Sequence, residues 1–281
     1  MTLTLIAHFF NEEYLLPWWV DHHLSTVDDA VLIDHGSTDE SRDILSRMAP
    51  HWRVIDAPTA EFDAVAVDEE VMEVERGVSG WKVVLNVTEF LVGDARGVLE
   101  RTPPDVWGLK TAGRTMVDIE PDIEPNPDAA LVAQKPWGFD EFQWEVVRLL
   151  GGTNRPVPGE YMSFQPRFRN RLIHRHVDGQ YQPGRHEWHA QGWIPCPDLE
   201  VWWFGLSPWT PRGRARKENA RNQVSARDRA ERKGVQHTLP AAAQAQLHHF
   251  LAQFAQERSW TPAECKEALH MVMNHFHVAI G

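Results

Sequence analysis

The first ninety residues alternate short apolar runs with polar clusters. LTLIAHF leads into Phe10-Asn11-Glu12-Glu13, AVLI into Asp34-His35-Gly36-Ser37-Thr38-Asp39, and WKVVL into Asn86-Val87-Thr88-Glu89-Phe90. A run of this kind reads as a buried strand, and the polar cluster as the loop at its carboxyl end. The spacing predicts strands at 3–9, 30–34, 52–56 and 82–86. Between them it predicts helices near 12–24, at about 39–48 and at 63–76. Ser37 or Thr38 is the expected N-cap of the second helix, and the third, DAVAVDEEVMEVER, is acidic and amphipathic. A βαβαβαβ order means a mostly parallel sheet with helices on its faces. In open α/β sheets ligands bind beyond the carboxyl ends of the strands. Asn11, Glu12, Asp34, Ser37, Asn86, Thr88 and Glu89 are therefore expected to converge on one crevice.

After residue 90 the pattern loosens. Residues 106–112 (VWGLKTA) read as a strand, and 120–128 (EPDIEPNPD) as an exposed, proline-rich acidic loop. Further strands of mixed direction are expected at 161–169 and 199–204, and helices at 213–233, 241–257 and 262–277. The change from sheet domain to helical extension falls near residue 210, giving expected units of 1–210 and 211–281.

Composition narrows the function classes. With 281 residues, 42% hydrophobic and 24% charged, the chain reads as a soluble globular protein with a sizeable core. No apolar run approaches the roughly 20 residues that a membrane span needs. The N-terminus lacks a basic leader and a cleavage site, so it reads as a first strand. Cys196 and Cys265 form no metal or redox spacing, and a reducing cytoplasm is the simplest setting. The net charge of −12 argues against general nucleic-acid binding. That charge is uneven: residues 212–233 hold nine Arg or Lys against three Asp or Glu, leaving about −18 on the remainder. The basic run reads as a solvated helix face; its alternatives are an anionic membrane surface or a phosphate-bearing ligand. Thirteen tryptophans supply core and flat faces against which sugars pack.

Each motif has a plain structural alternative. The Asp34 turn offers a carboxylate to a base edge or ribose hydroxyl, Gly36 permits a tight turn, and the next helix N-terminus favours an anion. It also reads as an ordinary capped turn. Glu12 and Glu13 suit a first helical turn through the macrodipole alone. In the Asn86-Val87-Thr88-Glu89 segment only Glu89 is acidic, where a divalent cation calls for several hard oxygen ligands. The close histidine pairs, His174 with His176, His186 with His189 and His275 with His277, match no strong zinc spacing and read as structural or surface histidines.

Taken in order, the three strand-end motifs resemble the family-2 glycosyltransferases of the GT-A fold, and more closely a bacterial subgroup with an NEE-x-LLPWW helix and a D-x-GSTD turn. The likeness covers residues 1–90 and continues weakly through Arg167-Phe168, the segment YQPGRHE (181–187) and Ser207-Pro208-Trp209. It implies an α/β, GT-A-like (Rossmann-like) mixed sheet with helices on both faces and a C-terminal helical extension. It implies that Phe10, Asn11 and Glu12 line the nucleotide pocket and that Asp34 reads the uracil or equivalent base, with Ser37, Asn86 and Thr88 completing the donor site. Relatives carry Asp-Ala-Asp-Glu where this chain has Asn86-Val87-Thr88-Glu89. That departure predicts weak or absent dependence on Mn2+ or Mg2+. If a metal is used, Glu89 and His186 are the ligands the resemblance offers. Asp140 and Glu141, in WGFDEFQW, are the candidate bases for the acceptor hydroxyl.

The resemblance thus implies a cytoplasmic or peripherally membrane-associated enzyme that moves a sugar from a nucleotide-diphosphate donor to a glycan or other hydroxyl acceptor, with surface-polysaccharide assembly as its role and no redox cofactor. Two rivals stand beside it. One is a catalytically silent GT-A module that binds nucleotide or glycan or scaffolds a partner. The other is a sugar-phosphate nucleotidyltransferase, which would carry a Gly-rich basic loop where this chain has Asn-Glu-Glu.

Overall fold

A computed structural model describes residues 1–59, 61–140, 169–231, 240–252 and 255. The N-terminal half consists of β1 (Leu3–Phe9), α1 (Leu16–Leu24), β2 (Asp29–Asp34), α2 (Ser41–Met48), β3 (Arg53–Asp56), α3 (Ala64–Arg76) and β4 (Trp81–Asn86). These four strands are parallel, in the order β3-β2-β1-β4. β1, β2 and β4 are buried on both faces, which is why they read as near-continuous apolar runs. Leu5, Ala7, Leu32, Val83 and Leu85 pack on one face with Leu16, Trp19 and Val20 of α1 and Ile44 and Leu45 of α2. Ile6, Val31, Ile33 and Val84 pack on the other with Val71 of α3. Helices therefore cover both faces.

The chain steps from β1 outward to β2 and β3, then crosses back to place β4 on the other side of β1. That reversal makes the carboxyl end of β1 a topological switch point, the position at which open α/β sheets bind ligands.

Beyond β4 the sheet turns mixed. β8 (Leu172–His174) runs antiparallel to β4 and to β6 (Gly108–Val117); β9 (Trp193–Leu206) runs parallel to β6; β5 (Glu89–Val92) runs antiparallel to β9. β7 (Gly138–Asp140) pairs with β6. β5 starts just after β4 in the chain yet ends the strand order, so the sheet curls back on itself. α1 ties this return in place: Trp19 Nε1 donates to the Glu89 carbonyl (2.8 Å) and Leu91 N to His23 Nε2 (3.2 Å). Among the described residues the remaining helices are α4 (Ala95–Arg101), α5 (Leu131–Gln134), α6 (Pro211–Gln223), α7 (Ala226–Ala230) and α8 (Ala241–Ala252). Among the described residues, no helix is long and apolar enough to cross a membrane.

Several expectations need correcting. The first helix starts at Leu16, because Asn11 turns the chain with φ at 49°. The second starts at Ser41 after Glu40, and neither Ser37 nor Thr38 caps it; both side chains bind the Asn11 turn instead. The basic run is two helices. They break at Val224–Ser225, where Val224 bridges Phe62 and the Ser225 hydroxyl accepts from Asp228 N (3.0 Å). The strand at 199–204 extends over Trp193–Leu206. Residues 161–168 and 262–277, where a strand and a helix were expected, lie outside the described residues.

Candidate functional site

Two strand-end turns interlock at the switch point. Asn11 Oδ1 accepts from Thr38 N (2.7 Å) and Asp39 N (3.3 Å), while Asn11 N donates to the Ser37 hydroxyl (3.0 Å). Glu12 N donates to the Ser41 hydroxyl (2.9 Å), and Glu13 N to Asp39 Oδ2 (3.0 Å). Asn tolerates the left-handed backbone that this turn needs at position 11. Gly36, with φ at 81°, does the same for the facing turn. Asp34 sits beneath, 2% exposed. Its Oδ1 accepts from Ser37 N (2.9 Å) and Ser37 Oγ (2.6 Å), and its Oδ2 from Arg42, which also reaches Asp56. Asp34 thus organises the turn. Phe10 lies half-buried at the start of the same loop.

The end of β4 forms the opposite wall. Asn86 N donates to Glu89 Oε2 (2.9 Å), and Asn86 Oδ1 accepts from Arg185 Nη2 (2.7 Å). Arg185 also lies 2.9 Å from His8 Nε2 and pairs with Asp68 of α3. Its φ of 58° places a bulky residue in the left-handed region at the site. Arg171 grips Glu89 through Nε (2.9 Å) and Nη2 (2.5 Å), and its Nη1 lies 3.1 Å from His186 Nδ1. Burial, then Arg185, His35 and Arg171, holds His8 well below its ordinary pKa. Burial, then Arg171 and Arg169, does the same to His186. Thr88 is buried, and its carbonyl accepts from Phe204 N (2.6 Å).

These residues do not fit a divalent cation. Both oxygens of Glu89 hold a buried guanidinium, Asn86 Oδ1 holds another, and His186 faces arginines. An ion there would meet positive charge in place of the hard anionic oxygens it requires. Among the described residues, no three acidic, histidine or cysteine side chains group so as to hold a metal.

The third wall is α6. The Thr210 hydroxyl caps it, accepting from Gly213 N (3.2 Å) and meeting Tyr14 OH (2.8 Å). Arg216 then pairs with Glu12 at the end of β1, both side chains mostly buried. Lys217 Nζ donates to the Gly205 carbonyl (2.7 Å) and lies 5.8 Å from the Trp203 ring centroid. The Arg169 guanidinium sits 3.7 Å from the same centroid. Gly205 makes room for that ring: a Cβ there would come within 1.9 Å of it. Burial, then Arg216 and Arg169, pushes the Lys217 amine down to about 7. Arg212 lies over Tyr14 (5.0 Å), and Arg214 pairs with Asp122 (2.8 Å) at the surface.

Asp140 ends β7, opposite Arg114 in the strand register, and Glu141 lies outside the described residues. His174, a candidate only as half of a histidine pair, is buried against Glu75 (2.8 Å) and Tyr181 (3.0 Å). Sequence reasoning missed Asp68, Arg169, Arg171, Arg185 and Trp203. One signal was available. In RFRNR (167–171) arginine recurs at every second residue, the side-chain period of a strand with one charged face.

No family model matches the sequence, and no curated protein matches it. Parts of the chain match solved structures at low identity. Glucosyl-3-phosphoglycerate synthase from Mycobacterium tuberculosis, in complex with Mn2+, uridine diphosphate and glucosyl-3-phosphoglycerate, is 18% identical with a TM-score of 0.31, over 40% of this chain and 44% of that one. S. aureus TarS 1–349, in complex with uridine diphosphate, is 14% identical with a TM-score of 0.34, over 45% of this chain and 38% of that one. A further mycobacterial protein is 15% identical with a TM-score of 0.34, over 62% and 53%. The chain spans less than half the length of the first two of these structures.

Proposed function

We propose that this chain is a glycosyltransferase that moves a sugar from a nucleoside-diphosphate donor to a hydroxyl acceptor. The observation that carries the reading is the interlocked pair of turns at the switch point. Asn11 is cross-linked to Ser37, Thr38 and Asp39, and the next residue, Glu12, pairs with Arg216 of α6. In this reading the base lies against Phe10, Asn11, Glu12 and Asp34, with Ser37, Asn86 and Thr88 along the donor. The acceptor oxygen attacks the anomeric carbon. The bond from that carbon to the diphosphate breaks, and its electron pair leaves with the nucleoside diphosphate. Positive groups aimed at the departing oxygens lower the barrier to that step. Asp140 and Glu141 remain the candidates to take the acceptor proton. We assign residues 1–210 to the donor domain and 211–281 to a C-terminal extension. A cytoplasmic or membrane-peripheral enzyme of surface-polysaccharide assembly is the role we assign.

One observation favours a second reading, a catalytically silent binding module: Glu89 is closed on Arg171 and unavailable for catalysis. Incubation with a panel of nucleoside-diphosphate sugars, with release of nucleoside diphosphate as the readout, separates the two. Turnover of one donor is expected. Asp34→Asn should weaken that nucleotide's binding by loosening the turn that Ser37 and Arg42 close on its carboxylate. Binding without turnover would select the silent module, and failure to bind any nucleotide would end the transferase reading.

A further inference from the structure

We propose that the hairpin 180–189 is an autoinhibitory plug: its tip, Arg185, fills the switch point and withdraws before a nucleoside diphosphate binds. The proposal rests on the proposed function for the class of ligand and on the geometry of the hairpin for the rest. Residues 175–192 join β8 to β9. Within them a bridge between Tyr181 and Trp188 closes a short hairpin, with Gln182 N donating to the Glu187 carbonyl (2.9 Å) and His189 N to the Gln180 carbonyl (3.0 Å). Two buried acids of α3, two helical turns apart, hold it. Glu75 takes the base, accepting from Gly179 N (2.7 Å) and Tyr181 OH (2.8 Å). Asp68 takes the tip, accepting from Gly184 N (2.8 Å) and pairing with Arg185. The tip reaches the carboxyl ends of β1 and β4, where His8 and Asn86 are partners in register. Arg185 Nη2 spans them, 2.9 Å from His8 Nε2 and 2.7 Å from Asn86 Oδ1. His8, Asn86 and Asp68, three polar side chains at this end of the sheet, are thus all committed to one guanidinium. The closed arrangement is costly to hold. Gly184 and Arg185 are successive left-handed residues, with φ at 94° and 58°, and the second is a bulky side chain for which that backbone is strained. Among the described residues, Arg185 Nε is buried with no hydrogen-bond partner, a further desolvation cost. Withdrawal of the tip relieves both, while Glu75 keeps the base of the hairpin attached. A ligand that binds only the open form has its apparent affinity reduced by the fraction of chains that are open.

Calorimetric titration of the full chain with adenosine, cytidine, guanosine, thymidine and uridine diphosphates, beside hydrogen exchange over residues 182–187, tests the plug. Two variants open it by different routes. Asp68→Asn weakens the anchor, and Arg185→Gly removes the side chain at a position whose φ suits glycine. Glu69→Gln, exposed beside Asp68 on α3, is the control. With about 1–10% of parent chains open, both variants should bind one of the nucleotides about 10- to 100-fold more tightly than the parent. Glu69→Gln should match the parent. Asp68→Asn should also speed exchange over 182–187, and saturating nucleotide should speed it in the parent. Thermal melts identify a variant that fails to fold; the other variant, and the parent's own exchange, then carry the test. Equal or weaker affinity in the folded variants, or slower exchange over 182–187 in the nucleotide-bound parent, overturns the plug and leaves the proposed function standing. Tighter binding without sugar transfer would leave the plug standing and remove the transferase reading. No binding of any of the five nucleotides, by parent or variant, overturns both.

Discussion

At the scale of single residues, the site is built from charges buried in pairs. Glu89 is fully buried, and Arg171, 2% exposed, holds it with two hydrogen bonds. Removing one partner of such a pair strands the other charge in a poor solvent, which costs about 3–5 kcal/mol. Arg171→Met is therefore expected to lower the urea-unfolding free energy by that amount, whereas a loss below about 1 kcal/mol would mean that Glu89 has another counter-charge. Lys217 sets a second expectation. Its amine is pushed down to about 7 in the folded chain from an ordinary 10.5. The unfolded chain holds that proton up to the higher value, so its contribution is fully present above 10.5 and is lost as pH falls toward 7. Lys217→Met should flatten the rise in stability between those limits; an unchanged slope would place the ammonium in water. Little of this was legible in the sequence. Asp34 and Asn11 announce themselves because they follow apolar runs. Arg171 and Glu89, or Arg185 and Asp68, are paired across long stretches of chain, and no local pattern marks them.

At the scale of elements, legibility follows burial. β1, β2 and β4 were readable to within a residue or two because both faces are covered and the apolar runs are unbroken. β5, β7 and β8 are three or four residues long and owe their existence to partners far along the chain, so they left no signal. The helix caps misled for a different reason: Ser37 and Thr38, good caps by type, are bound across the crevice to Asn11. α6 reads as a solvated helix by composition, yet one side of it docks. A double-mutant cycle should separate its two kinds of contact. The Arg216–Glu12 pair, with side chains 11% and 14% exposed, should show a coupling of about 0.5–3 kcal/mol. The Arg214–Asp122 pair, 37% and 63% exposed, should show about 0–0.5 kcal/mol. Equal couplings would mean that α6 does not sit over β1.

At the scale of the whole molecule, buried neutral histidines tie folding to pH. His8, His23 and His186 are held well below the ordinary 6.5, by burial first in each case. His248, stacked on Trp209 at 4.3 Å, is pushed down to about 4. The unfolded chain takes up these protons near 6.5 and the folded chain does not, so the stabilisation is complete above 6.5 and lost as pH falls below it. The urea midpoint should drop between pH 6.5 and 5, before the carboxylates titrate, and His248→Phe should reduce the slope; a flat profile would show those rings to be hydrated. The same summed charge governs the site, where arginines and a lysine gather in a chain of net charge −12. The central claim is that the switch point takes a nucleoside diphosphate without a metal ion on Glu89 and His186. A crystal structure of the chain grown with uridine diphosphate and Mn2+ tests it most directly. The account places the base against the Asn11–Asp34 turns, with Glu89 still closed on Arg171. A nucleotide bound elsewhere, or a Mn2+ bridging its diphosphate to Glu89 and His186, would contradict it.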